Sequence, residues 1–281
     1  MALQDLLVHL DGTEAAAKRL DFAAALAARH DAHLIGLHAV EASLPIGLTG
    51  NLASATLGEL AERVRAEVAV SATRSRTAFE EKLRRDGLRG EWRETDTLPA
   101  EMVVLHARYA DMTVLGQPDP ANPDVRLDEA ILEQALFQSG RPVLMVPYAG
   151  HFRKAPERVL VAWKAGREAA RAVHDAMPLL RAAREVKVLA INPRNGIGGD
   201  GEVPAVDLAL HLARHGVQAT AEHLVTDEVP AADLLLNEAA DSDAGLIVMG
   251  AYGHSRLRQL ILGGVTRGIL ARMTVPVLMA H

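Results

Sequence analysis

Two heptapeptides of this chain, RPVLMVP at residues 141–147 and VPVLMAH at residues 275–281, are near copies, and they lie 134 positions apart (Pro276 minus Pro142). The glycine that closes the preceding apolar run recurs at the same interval, since Gly250 minus Gly116 is also 134, and no gap is needed between the two landmarks. A repeat of that length makes the chain two copies of one unit. At 281 residues it exceeds one average domain, and 49% hydrophobic content is ample for two cores. The boundary falls where Gly150, Lys154 and Pro156 mark a surface connection, giving domains 1–149 and 150–281.

Within each copy, short apolar runs alternate with helical patterns. Leu3–Leu10 reads as a strand, and Thr13 as the cap of an alanine-rich helix over 15–29. Further strands fall at 32–40, 90–95, 112–115 and 141–147, with a glycine- and proline-containing loop over 41–56 and helices over 57–85, 99–107 and 127–138. The second copy gives strands at 158–163, 186–192, 217–224, 244–249 and 275–281. Its helices fall over 167–183, 205–215, 231–240 and 265–273, and a glycine-rich loop over 193–202. Such alternation predicts an α/β fold with a parallel sheet.

The richest stretch runs from Gly250 to Leu270. The run AGLIVM, ending at Met249, reads as a buried strand leading into Gly250 and Gly253, and Gly263 and Gly264 precede the last helix. Glycines permit tight turns and leave no Cβ between ligand and backbone, and N–H groups at such turns and at a helix start suit anionic oxygens. Phosphate is the ligand this chemistry favours. The spacing is neither a Walker loop nor a G-x-G-x-x-G fingerprint, and turn or packing glycines account for it equally well.

Gly250, Gly253, Gly263 and a following small residue resemble the G-x2-G-x9-G-[ST] loop of the universal stress protein family, and the proline-led last strand is similar too. The resemblance covers nearly the whole chain as tandem copies. It implies two five-stranded Rossmann-like domains of the adenine nucleotide hydrolase-like type, strand order 3-2-1-4-5, pairing through their last strands, Val143 to Val146 with Val277 to Ala280. It further implies ATP or ADP, with or without Mg, held by Gly250, Gly253, Gly263, Gly264 and Val265, with Met249 beside them and Ile191 near the adenine. Gly264 stands where the family has Ser or Thr, and Thr266 is the candidate replacement for that hydroxyl.

The copies have diverged in opposite ways. Aligned with Gly253, Gly263 and Gly264, the first copy has Asp119, Glu129 and Ala130, and Pro118, Pro120 and Pro123 stiffen the loop. Carboxylates in a phosphate cradle repel the ligand, so no nucleotide is expected in the N-terminal domain. Conversely the first strand of copy one ends in Asp11, matching the family's nucleotide-contacting Asp, whereas copy two has Lys164. That lysine is read either as a phosphate contact or as a solvated strand end.

Other chemistries find little support. A formal charge of −6 and 3% aromatics argue against nucleic acid, no uncharged apolar run approaches a membrane span, and the absence of cysteine excludes disulfides and thiol catalysis. The N-terminus reads as a first strand without a secretion leader, making the cytoplasm the default location. No metal-ligand spacing appears among the 12 histidines, and His9, His38, His30 and His33 read as structural or solvent-facing. Trp163 reads as core packing, and His254, Arg256 and Arg258 sit in the glycine loop, the arginines read as an exposed face. No catalytic base or nucleophile elbow is evident, so activity is at most slow ATP hydrolysis. The expected function is that of a tandem stress-response regulator binding an adenine nucleotide in its C-terminal half. The alternative is a nucleotide-independent interaction module with both sites degenerate. Protein partners are unidentified, and the sequence leaves open whether the chain also forms a homodimer.

Overall fold

The computed structural model describes residues 2–41, 54–122, 125–193, 205–226, 228–251 and 264–281. Its N-terminal half comprises β1 (Asp5–His9), α1 (Glu14–His30), β2 (His33–Ala39), α2 (Ser54–Asp86), β3 (Gly90–Thr95), α3 (Pro99–Ala107), β4 (Met112–Gly116), α4 (Val125–Gln138) and β5 (Val143–Val146). Its C-terminal half comprises β6 (Arg158–Trp163), α5 (Arg167–Asp175), α6 (Met177–Ala182), β7 (Glu185–Ile191), α7 (Val206–Arg214), β8 (Ala219–Leu224), α8 (Ala231–Asp241), β9 (Leu246–Gly250), α9 (Gly264–Arg272) and β10 (Val277–Ala280). Residues 147–157, between β5 and β6, form neither helix nor strand. The two expected glycine-containing loops lie mostly outside the described residues.

Local chemistry explains the element ends. Thr13 accepts from the Ala16 N–H at 3.2 Å, capping α1 as its sequence position predicts. The helix expected over 167–183 is instead two. Pro178 has no N–H for the His174 carbonyl and its ring crowds the preceding turn, so α5 stops at Asp175 and α6 restarts with the proline in its first turn.

All ten strands join one sheet in the order β3-β2-β1-β4-β5-β10-β9-β6-β7-β8, so each half has the order 3-2-1-4-5 by its own count. Pairing is parallel within each half. At the junction β5 and β10 run antiparallel, with Leu144 opposite Leu278, Met145 opposite Val277 and Val143 opposite Met279. Leu144 and Leu278 are one repeat apart (278 minus 144 is 134), so each half meets its own equivalent across a pseudo-two-fold axis. The junction closes two edges that would otherwise leave N–H and C=O groups unpaired.

Side chains alternate between two apolar layers, as the pleat dictates. Leu6, Val8, Val114, Leu144, Val146, Val248 and Leu278 face the layer under α1, α2, α5 and α7. Leu7, Leu115, Met145, Ile247, Met249, Val277 and Met279 face α3, α4, α8 and α9. Because the halves meet antiparallel, the carboxyl ends of the strands of one half lie at the same border of the sheet as the amino ends of the other's.

Leu144 and Leu278 are both 0% exposed. Leu144→Ala and Leu278→Ala should therefore each lower unfolding free energy by about 2–5 kcal/mol in urea titrations. The double variant should depart from additivity by more than about 0.5 kcal/mol, because the side chains are neighbours. A loss below about 1 kcal/mol in either single variant would contradict close packing at the junction.

Candidate functional site

In an open parallel sheet the strand order reverses between the first and fourth strands of each half, and the crevice beyond their carboxyl ends is where a ligand fits. Here these crevices lie between β1 and β4 and between β6 and β9. The two contain different chemistry.

In the N-terminal crevice, Asp11 follows β1 and is fully engaged by its own chain. Arg19 of α1 donates Nη2 to Asp11 Oδ2 at 2.8 Å, and Thr13 donates its N–H and hydroxyl to Oδ1 at 3.0 and 2.6 Å. The Arg19 side chain is only 5% exposed. Its Nη1 stands 2.5 Å from where a Cβ on Gly116 would lie, so the guanidinium covers the end of β4 and any larger residue there would displace it. Burial opposes the Asp11 charge, but Arg19, His9 and the Thr13 hydrogen bond hold its carboxyl far below the usual range. An internal guanidinium thus lies over this crevice.

The loop beyond has changed too. Asp119 accepts from the Ala121 N–H at 2.9 Å, making a local turn. Because α4 starts at Val125, Glu129 and Ala130 lie inside a helix. The acidic residue in its first turn is Asp128.

His9 and His38 complete this end of the sheet as structural groups. His9 Nε2 donates to the Ala39 carbonyl at 3.0 Å and His38 Nδ1 to the Leu10 carbonyl at 2.6 Å, both rings being buried. Burial, then the Arg19 charge, push the His9 pKa down to about 4.

In the C-terminal crevice, Ala162 of β6 pairs with Met249 of β9, bringing exposed Lys164 to the same sheet end as Gly250. Ile191, half-buried, closes β7 at that end, and Trp163 packs on the core. Gly250 has a packing reason to lack a side chain, because a Cβ there would come within 2.5 Å of the Ala169 nitrogen in α5. Met249 is buried. Glu168, in the first turn of α5, is 13% exposed; burial opposes its charge, but Arg167 and its own N–H keep the carboxyl below its ordinary value.

Since β9 and β10 are parallel, α9 runs back between them and its N-terminus lies at the carboxyl end of the sheet. Gly264 is exposed and, among the described residues, nothing lies within 4 Å of where its Cβ would be; Val265 is 37% exposed, and no acidic residue occurs in the described first turn. Thr266 is 4% exposed, so its hydroxyl lies on the buried side of the turn, away from where a replacement for the family's Ser or Thr is needed. Gly253, Gly263, His254, Arg256 and Arg258 lie outside the described residues. The structure thus gathers Lys164, Ile191, Met249 and Gly250 at one sheet end, with the start of α9 facing the same way. An α9 N-terminus without carboxylates, beside a lysine-bearing crevice, fits an anionic group.

Sequence reasoning missed Arg19 and Glu168. Arg19 was legible, since it falls among Ala16, Leu20, Ala23 and Ala27 on the buried stripe of α1, where a solvated arginine has no place. Among the described residues no three His, Asp or Glu side chains are grouped to hold a metal ion, and no helix is long and apolar enough to cross a membrane.

Comparison with known proteins agrees with this fold. The family model described as universal stress protein family matches twice, over residues 3–147 and 156–281. A crystal structure of a universal stress protein from Archaeoglobus fulgidus DSM 4304 superposes with a TM-score of 0.71 at 17% identity, covering 99% of this chain and 97% of that one. A protein of unknown function from Pseudomonas aeruginosa PAO1 gives 0.55 at 18% identity, covering 99% and 92%. At such identities these two likenesses speak for the fold. A universal stress protein of Synechocystis is 38% identical over 48 residues, a match spanning 17% of this chain and 17% of that relative's length.

Two measurements test the N-terminal crevice. His9 is neutral when folded and protonates near the ordinary imidazole value of 6.5 when unfolded, so its contribution to stability is complete above that value and is lost as pH falls to about 4. The loss amounts to about 3 kcal/mol, and His9→Gln should flatten that part of the stability profile. An unchanged profile would show that His9 is not the group responsible. Arg19→Met strands the Asp11 carboxylate and should cost about 3–5 kcal/mol at neutral pH, shrinking as Asp11 protonates in acid; a cost below about 1 kcal/mol would show that the pair is solvated.

Proposed function

Because the chain belongs to the universal stress protein family, we propose that it is a tandem stress-response regulator whose C-terminal half, residues 150–281, binds ATP or a related adenine nucleotide. The N-terminal half, residues 1–149, takes none. The observation that carries this reading is the contrast between aligned positions: Gly264 is exposed at the described start of α9, whereas the aligned Ala130 lies inside α4 next to the carboxylates of Asp128 and Glu129. An anion is favoured at the first and disfavoured at the second.

On this reading the phosphates and ribose lie against Gly250, Gly253, Gly263 and the N–H groups of Gly264, Val265 and Thr266. The ammonium of Lys164 offsets phosphate charge, and Met249 and Ile191 border the adenine. Any Mg accompanies the nucleotide through its phosphates. Any hydrolysis is slow, for want of a residue placed as a base among the described residues.

One observation favours a nucleotide-independent interaction module instead. The close approach of Ala169 accounts for Gly250 without any ligand.

The deciding experiment pairs the identity of any small molecule released on denaturing the purified chain with ATP titration of wild type and Gly253→Asp. We expect an adenine nucleotide among the released molecules, saturable ATP binding by wild type, and affinity at least tenfold weaker in the variant, whose new carboxylate faces the phosphates. No release, together with no response to millimolar ATP, would sink the nucleotide reading and leave the interaction module.

A further inference from the structure

The N-terminal half lacks a usable cradle, yet the residue that follows β4 reaches directly into the other half. Gln117, 6% exposed, donates its Nε2 to the Leu270 carbonyl of α9 at 2.7 Å, a hydrogen bond spanning 153 residues. Its backbone N–H is bonded to Val146 at 2.8 Å, and its Oε1 faces the Tyr148 N–H at 3.4 Å, so both ends of the side-chain amide are engaged. Leu270 lies in the last turn of α9, where carbonyls have no partner within the helix. Gln117 is therefore a C-terminal cap supplied by the opposite half.

The antiparallel junction makes this possible. It brings the carboxyl end of β4 to the border of the sheet where α9 ends, while α9 begins at the opposite border, where the nucleotide is proposed to bind. Two further contacts hold α9 against α8, one at its middle and one at its last residue. Gly268 allows α9 to approach α8 so closely that a Cβ would lie 2.7 Å from that of Ala232, and Arg272 pairs with Asp233 of α8. The bond has no reciprocal. The residue equivalent to Gln117 is Ala251, which has no side-chain donor to offer Leu136, and the end of α4 instead sets Phe137 against the His281 ring at 4.7 Å.

We propose that Gln117 is a positioning residue for the C-terminal nucleotide site, acting through α9, an inference that rests on the nucleotide reading above. The nine residues of α9 span about 13 Å, so a tilt of about 20° pivoting on the C-terminal end moves the N-terminal N–H groups by about 5 Å. That exceeds the tolerance of a hydrogen bond. Holding the far end of the helix thus fixes where its donors meet phosphate.

The test uses the full-length chain with Gln117→Leu, which keeps the volume and removes the donor, and Gln117→Ala, which copies position 251. Amide hydrogen exchange of residues 268–272 without nucleotide should be about tenfold faster in both variants, while residues 231–241 of α8 keep their protection. ATP affinity, measured well below the thermal midpoint, should fall about tenfold. Unchanged exchange in α9 overturns the proposal at its first step. Faster exchange with unaltered ATP affinity makes Gln117 a structural cap alone and overturns the positioning role. If wild type itself fails to bind ATP, the nucleotide reading falls and the positioning role with it, and the exchange data separate that result from loss of the cap.

Discussion

The antiparallel pairing of β5 with β10 is the contact on which the remaining architecture depends. Each half alone would end its sheet in a bare edge of buried apolar strand. Setting Leu144 against Leu278 satisfies both edges with one row of hydrogen bonds and makes the sheet continuous across ten strands. It also fixes the relation between the two crevices, which open at opposite borders of that sheet. Beside this seam the halves also touch through Gln117 on one side, through Phe137 with His281 on the other, and through the hydrogen bonds of Arg29 to the Ala182 carbonyl and Arg171 to the Gly140 carbonyl.

From a common plan the crevices have moved to different electrostatic solutions. In the N-terminal half a carboxylate survives at the strand end but is neutralised from within by a buried arginine, with the bare backbone of Gly116 leaving room for the guanidinium. In the C-terminal half the strand end carries Lys164, and the nearby carboxylate of Glu168 belongs to a helix start. Neither arrangement follows from simple decay. A carboxylate kept at a buried strand end needs a cation of its own, and Arg19 provides one.

Much of the fold was legible in sequence because strand runs of branched residues and alanine-rich helices leave strong periodic signals, and the 134-residue interval tied the halves together. The break at Pro178 was missed because the pattern on either side stays helical, and only the missing N–H decides it. The site was legible to a lesser degree. Glycine spacing marked Gly250 without revealing that it serves helix packing, since that depends on Ala169, brought there by tertiary structure alone. The burial of Thr266 turns on one helical step of 100°, finer than spacing resolves. Gln117 carried no signal at all, because a lone glutamine after a strand acquires meaning only when the opposite half is in place.

The short connection over residues 147–157 changes the thermodynamic order of the assembly. In a pair of separate chains such a seam forms in a bimolecular step, and its occupancy depends on protein concentration. Here the linker replaces that step with a unimolecular one at an effective concentration of order millimolar. A seam four strand residues long on each side can then stay closed under dilution. The two copies also no longer need to be interchangeable, so one can specialise in contacting ligand while the other drifts toward a purely mechanical part.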